Sequence, residues 1–191
     1  MIEVEIRGKL IKAEFEKLFA LLRRKGELKD HYHRLSIDIS PGFDEKTRKW
    51  SNTTQVDLRI KKSDDKEKIS AKIGSYDQKG RGEVEVKLAS GELPNALDLF
   101  EALGFRSGMI YYWESWEFDY KDFEIKLSKH SEDYYTFEIE SSKADPNLLA
   151  EELNLKAFNK EEYREAIDWE NRNIHRLYKK ETVQELIQLM F

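Results

Sequence analysis

The sequence predicts an α+β protein: a curved antiparallel sheet or closed barrel, with helices packed outside it. Three observations predict this class. Short runs in which apolar and charged residues alternate strictly recur along the chain, which is the period of a strand. Helical spacing is confined to a few segments. The connections are mostly short, as antiparallel neighbours allow. A length of 191 residues suits one domain, or one domain with an appended helical segment, and a hydrophobic content of 39% supplies its core.

Residues 2–7, Ile-Glu-Val-Glu-Ile-Arg, alternate throughout and predict the first strand. Over 11–24 the spacing becomes helical, with Ile11, Phe15, Leu18, Phe19 and Leu22 on one face, and Gly26 ends the helix. A strand is predicted over 31–39, where Leu35, Ile37 and Ile39 alternate with Arg34, Ser36 and Asp38. Pro41-Gly42 ends it, and a polar loop runs to about Thr54. Strands are predicted over 55–62, 67–73, 81–88 and 109–119, the turn Ser63-Asp64-Asp65 joining the first two as a hairpin. Residues 94–103 read as a short helix, with Pro94 near its start and Gly104 after its end. Strands over 122–128 and 135–141 follow. From Asp145 the pattern is helical to the end, the last helix at 181–191 spacing Val183, Leu186, Ile187 and Met190 along one face. The expected division is a barrel over 1–141 and a C-terminal helical extension over 142–191, packed together as one compact domain.

Composition excludes several classes. A net charge of -5 is incompatible with nucleic-acid binding through bulk positive charge, and no DNA partner is expected. The absence of cysteine excludes a disulfide scaffold, a Cys-ligated zinc site, an iron–sulfur cluster and a thiol nucleophile. No apolar run is long enough to span a bilayer, and residues 1–9 carry Glu3 and Glu5 where a signal peptide needs a positive start. A soluble, cytoplasmic protein without a membrane partner is the expectation.

The strands share a pattern that bears on function. One face of each is apolar: Val4 and Ile6, Leu58 and Ile60, Val84 and Val86, Phe123 and Ile125, Phe137 and Ile139. The other face carries both signs of charge: Glu3, Glu5 and Arg7; Arg59 and Lys61; Lys72; Arg81, Glu83, Glu85 and Lys87; Glu124 and Lys126; Glu138 and Glu140. One reading is a half-buried sheet with a salt-bridged solvent face. The other is a barrel whose lumen holds the charges, a costly arrangement unless they pair or bind something. Acidic clusters there suit Mg²⁺ or Mn²⁺, and Arg and Lys suit a polyphosphate.

Ordered motifs on these strands resemble those of the CYTH superfamily, the triphosphate tunnel metalloenzymes, which include class IV adenylyl cyclases, thiamine triphosphatases and inorganic triphosphatases. Glu3-x-Glu5-x-Arg7 is similar to the family's ExExK signature, Leu58-Arg59-Ile60-Lys61 to its LRxR/K strand, and Lys72-Ile73-Gly74 to its basic strand before a turn. Arg81-x-Glu83-x-Glu85 resembles its RxExE strand, Leu103-Gly104-Phe105 its LGF helix end, and Phe137-Glu138-Ile139-Glu140 its late ExE strand. The resemblance implies an eight-stranded antiparallel tunnel. It implies Mg²⁺ or Mn²⁺ on Glu3, Glu5, Glu138 and Glu140, with Glu85 and Glu83 assisting. It places a triphosphate on Arg7, Arg59, Lys61, Lys72 and Arg81, and catalysis with Glu3, Glu5, Arg7 and Glu85. The expected function is metal-dependent hydrolysis of inorganic triphosphate, a nucleoside triphosphate or thiamine triphosphate. The alternatives are a tunnel that binds an anionic ligand without turnover, and a class IV adenylyl cyclase.

The sequence departs from the family pattern at three places. Arg7 stands where the family has Lys, and an Arg cannot shed its proton. The stretch 109–118 contains no Lys or Arg where the family has two basic residues. Each such contact contributes roughly 1.5–3 kcal/mol. Ser128 stands where the family commonly has Asp, and Lys87 and Lys126 on the charged face are expected to restore part of the positive charge. The aromatics Tyr111, Trp113 and Trp116 either stack a substrate ring or pack the wall. His31 and His33 lack a third metal ligand and read as surface or tunnel-mouth residues, and His130 and His175 carry no partner signature. The C-terminal helices are expected to pack the barrel, a homodimer seam through Met190-Phe191 being their other use.

Overall fold

The computed structural model describes residues 4–51, 55–74 and 82–191. In chain order these residues form β1 (Val4–Leu10), α1 (Lys12–Lys25), β2 (Glu27–Asp38), β3 (Phe43–Asp44), β4 (Lys49–Trp50), β5 (Val56–Ser63), β6 (Lys66–Ile73) and β7 (Gly82–Leu88). They continue through α2 (Leu93–Ala102), β8 (Met109–Tyr120), β9 (Phe123–Ser131), β10 (Tyr134–Ser141), α3 (Pro146–Glu152), α4 (Lys160–Asn173), β11 (Arg176–Leu177) and α5 (Lys180–Met190). The class is α+β, with a large antiparallel sheet and five helices among the described residues. Among those residues β1 pairs with β10 alone and β7 with β6 alone, so these ladders do not report a closed barrel.

The chain divides into two compact units, one comprising residues up to Tyr32 and Trp113–Ile167, the other His33–Tyr112 and Asp168–Phe191. In the first, β1, β10, β9 and β8 follow one another in antiparallel pairs. The amphipathic α1 lays Phe15, Leu18 and Leu22 on Phe118, Ile125, Leu127, Phe137 and Ile139, and α3 adds Leu149 and Ala150. Arg23, Arg24 and Lys25 in the last turn of α1 complement its dipole, and the Gly26 N–H donates to Leu22 O at 2.8 Å. After α3 the chain passes beside β1, where the Phe158 N–H donates to Arg7 O at 2.7 Å. Gly8 permits this approach, since a Cβ there would stand 2.4 Å from the Lys156 carbonyl oxygen.

In the second unit, β2, β5, β6 and β7 pair antiparallel, β11 pairs with β8, and β3–β4 is a separate hairpin. The core joins Leu35, Ile37, Ile39, Leu58, Ile60 and Ile110 to Leu93, Ala96 and Leu97 of α2 and Val183 and Leu186 of α5.

Two sequence expectations change. The helical pattern after Asp145 is broken by coil at 153–159 and by β11, because Asn154 takes a positive φ and ends α3. The apolar face of β7 is not covered: Val84 and Val86 are 55% and 54% exposed, α2 packing on β5 instead.

Candidate functional site

In the first unit, β1–β10 sets Glu5 opposite Glu140 and Arg7 opposite Glu138. The β10–β9 ladder then sets Glu138 opposite Lys126 and Glu140 opposite Glu124. Directly opposed residues share a face, so these six charges stand together, away from the core side of Ile125, Phe137 and Ile139. Arg7 is ion-paired with Glu5, lies 3.5 Å from Glu138 Oε1, and donates to the Tyr163 hydroxyl at 2.8 Å. Lys126 Nζ donates to Glu138 Oε2 at 3.3 Å and stands 3.6 Å from Glu117 Oε1, which also accepts from the Tyr32 hydroxyl at 2.6 Å. Burial alone would lower both cations. Glu138, Tyr163 and Glu5 more than reverse this for Arg7, and Glu138, Tyr32 and Glu117 do so for Lys126.

Glu140 is the opposite case. Burial, and then the Glu124 carboxylate across the ladder, push its carboxyl up to about 7; Glu5 adds to the rise and Lys126 opposes it. A cavity of about 250 Å³ borders Glu124 and Glu140, lined also by Asp119, Asp122 and Lys143.

Glu3 lies outside the described residues, and among those described no three His, Asp or Glu side chains are grouped to hold a metal ion. The donors fit a hard divalent cation by chemistry and register rather than by assembled geometry. Glu5, Glu124 and Glu140 are neighbouring carboxylates whose crowding a cation relieves, whereas Glu138 is engaged by Arg7 and Lys126.

The second unit holds the other basic residues of the expected site that are described, Arg59, Lys61, Lys72 and Lys87. Arg59 grips Asp57 bidentately, Nε to Oδ1 at 2.6 Å and Nη2 to Oδ2 at 3.1 Å, with Asp38 Oδ2 3.5 Å from Nε. Burial raises the Asp38 carboxyl, opposed by Arg59 and by donation from Ser40. Burial would lower Arg59, but Asp38 and Asp57 hold it above its usual value. The guanidinium assigned to phosphate is therefore committed to two aspartates. Burial first, then Arg59 and Lys68, push Lys61 down to about 8. Lys72 lies 3.7 Å from Glu83, Lys68 is ion-paired with Glu85, and Lys87 is exposed opposite Lys68. Arg81 lies outside the described residues.

The aromatics of β8 divide by face. Trp116 packs into the first core against Phe15 and Phe19, at ring distances of 5.6 and 5.4 Å, and stacks on His31, as wall packing requires. Tyr111 meets His175 edge-on at 4.4 Å in the second unit, and Trp113 lies 5.8 Å from His130 in the first. Where the family pattern has charge, Ser115 and Ser128 instead share a buried hydrogen bond of 2.8 Å. The sequence reading missed Asp57, although it lies two residues before Arg59 on the same face of one strand. It placed Glu124 on the charged face without a role. Tyr163 reaches Arg7 from α4, and no local pattern in the sequence announces that contact.

No protein-family model matches the chain, and no curated protein sequence matches it. Solved structures do. The PH1012 protein of Pyrococcus horikoshii OT3 superposes with a TM-score of 0.57 at 16% identity, over 84% of this chain and 93% of that one. A putative adenylate cyclase from Bacillus halodurans gives 0.53 at 16% identity, over 84% and 95%. The PH1819 protein of Pyrococcus horikoshii OT3 gives 0.51 at 19% identity, over 98% and 99%. The chain shares its fold with these structures. At these identities the likeness is one of fold.

Proposed function

We propose that this protein hydrolyses a triphosphate-containing compound with the help of a divalent metal, within the closed tunnel that the CYTH resemblance implies. The observation that carries the reading is the β1–β10 register, which puts Glu5 opposite Glu140 and Arg7 opposite Glu138. That brings the early and late acidic motifs onto one face with a guanidinium between them. The fold shared with a putative adenylate cyclase agrees with chemistry on a triphosphate.

In this reading Glu5 and Glu140, with Glu3 and Glu138, hold Mg²⁺ or Mn²⁺. The metal, when bound, neutralises phosphate charge and activates water. Arg7 and Lys126 keep the carboxylates apart and oriented. Lys61, Lys72 and Lys87, with Arg59 and Arg81, supply positive charge to the phosphates. Glu85, paired with Lys68, sets how much of that charge is available. Catalysis is then positioning and electrostatics without a covalent intermediate.

A second reading is a triphosphate binder without turnover. It is favoured by the internal pairing of Arg7, Arg59 and Lys126 and by the Ser115–Ser128 bond where bases are missing. Phosphate and pyrophosphate release from inorganic triphosphate, ATP, GTP and thiamine triphosphate with Mg²⁺ or Mn²⁺ separates the readings. Metal-dependent phosphate release that falls at least about 100-fold in Glu5→Gln and Glu138→Gln supports hydrolysis. Pyrophosphate with a cyclic nucleotide identifies a cyclase. Binding of inorganic triphosphate without any release leaves the silent binder.

A further inference from the structure

A cavity of about 330 Å³ lies between α1 and the coil that leaves α3. It belongs to the helical layer of the first unit, on the side of the sheet opposite the charged face. Its floor is Leu18, Leu21, Leu153 and Leu155, which also pack on that unit's core. The wall at 153–155 is held by its own turn. Asn154 takes a φ of 56°, and the Leu155 N–H donates to Ala150 O at 2.8 Å, the bond that closes a Schellman motif. That turn keeps Leu153 and Leu155 beside α1, so the concavity is built into the fold.

The α1 wall supplies a second observation. Lys17, Leu21 and Arg24 follow one another at intervals of four and three residues, which sets them on one line along the helix. Lys17 and Arg24 are thus two turns apart, roughly 10 Å along the axis. Between them Ala20 presents only a methyl group, which leaves room for a small group flanked by both long side chains. Glu14 borders the same cavity, but its Oε2 accepts from the Ile11 N–H at 2.9 Å and so caps the start of the helix. Among the described residues neither Lys17 nor Arg24 forms an ion pair. Exposed cations need no partner, but two of them at the rim of an apolar cavity complement a ligand that is apolar along its length and anionic at one end.

We infer that this cavity binds an acyl carboxylate, a free fatty acid of medium chain length. The carboxylate sits over Ala20 between Lys17 and Arg24, and the chain lies on the four leucines. Charge complementarity selects the head group. Size selects the tail: a cavity of about 330 Å³ is at the small end of the roughly 300–1,000 Å³ that ligand pockets span, and suits a chain of about eight to ten carbons better than a full-length lipid. The site stands apart from the triphosphate reading and uses none of its residues.

The test is titration calorimetry with hexanoate, octanoate and decanoate at pH 8, below their micellar range. Wild-type protein binds one equivalent, with affinity rising roughly 4-fold for each CH₂ that enters the cavity. Octylamine, with the same tail and the opposite charge, does not bind. Ala20→Glu sets a carboxylate between the two cations and abolishes decanoate binding, whereas Ala20→Ser, of similar size, retains it. Lys17→Gln/Arg24→Gln weakens binding roughly 10-fold. Lys17→Glu/Arg24→Glu turns the preference from octanoate to octylamine, a reversal that a merely structural role does not produce. Lys180→Gln, at an exposed pair with Asp98 in the second unit, leaves affinity unchanged. Positions 17, 20 and 24 are exposed on the helix, and thermal melts establish that each variant is folded. Loss confined to the cavity variants supports the site. Wild-type affinity for decanoate in folded Ala20→Glu overturns it, as does equal binding of octanoate and octylamine, or no binding of any of the three acids. Binding to vesicles of phosphatidylglycerol and phosphatidylcholine without binding of free decanoate also overturns it, and gives the two cations to a membrane surface instead.

Discussion

Glu140 couples the first unit to pH. Its carboxyl is raised from 4.5 to about 7 by burial and by Glu124, so the folded protein binds a proton more tightly than the unfolded chain does. The stability this contributes is fully present below about pH 4.5 and is lost as pH rises through about 7. Glu140→Gln is therefore expected to flatten that part of the profile and to stabilise the protein at pH 8, by on the order of 1 kcal/mol after solvent screening. Urea unfolding at pH 5 and pH 8 measures it, and a profile that keeps its slope in the variant counts against the Glu124–Glu140 coupling. Single residues were legible in the sequence only where alternation fixed the face. Arg59 and Lys61 do lie on the polar side. That Arg59 would be captured by Asp38 from another strand depends on register, which no local pattern encodes.

At the scale of elements, alternation located the strands because a half-buried sheet has a strict period of two, and it located α1 because a single face of that helix is buried. It was less informative after Asp145. There α4 buries only Asn171, and the coil beside β1 gains its hydrogen bond from a distant strand. One connection has a testable energetic consequence. Glu67 and Lys62 are 5% and 8% exposed, and Glu67 Oε1 accepts from Lys62 Nζ at 2.9 Å while Oε2 accepts from the Leu93 N–H at 2.8 Å. A single carboxylate thus pairs a buried ammonium and caps the start of α2. Glu67→Ala strands that ammonium and unties the helix, at an expected cost of about 3–5 kcal/mol. Lys62→Met/Glu67→Leu removes both charges and is expected to recover a substantial part of the loss. Denaturant midpoints for the three proteins check this, and a single variant no less stable than wild type would show that the pair carries no such energy.

For the whole molecule, the sequence conveyed the α+β class and the ordered charged motifs, because both depend on local alternation. The partner of each charge was not legible, because ion pairs form across ladders and between elements distant in sequence. The same distribution sets what a polyanion should do. A net charge of -5 repels a triphosphate at long range, so binding has to come from cations gathered locally, and the half-buried lysines of β5 and β6 are such a group. Salt screens long-range repulsion more than it screens partly buried contacts. Inorganic triphosphate at about 100 times its dissociation constant is expected to contribute about 2.7 kcal/mol, raising Tm by roughly 5–10 °C in a chain of this size. Much of that rise should survive 0.3 M NaCl. Substituting Lys61→Gln should remove most of it, while Lys156→Gln, at an exposed pair with Glu162 in the first unit, should not. A rise abolished equally by salt and by either variant would mean that the anion senses only diffuse surface charge, and Lys61 would then have no claim on the phosphates.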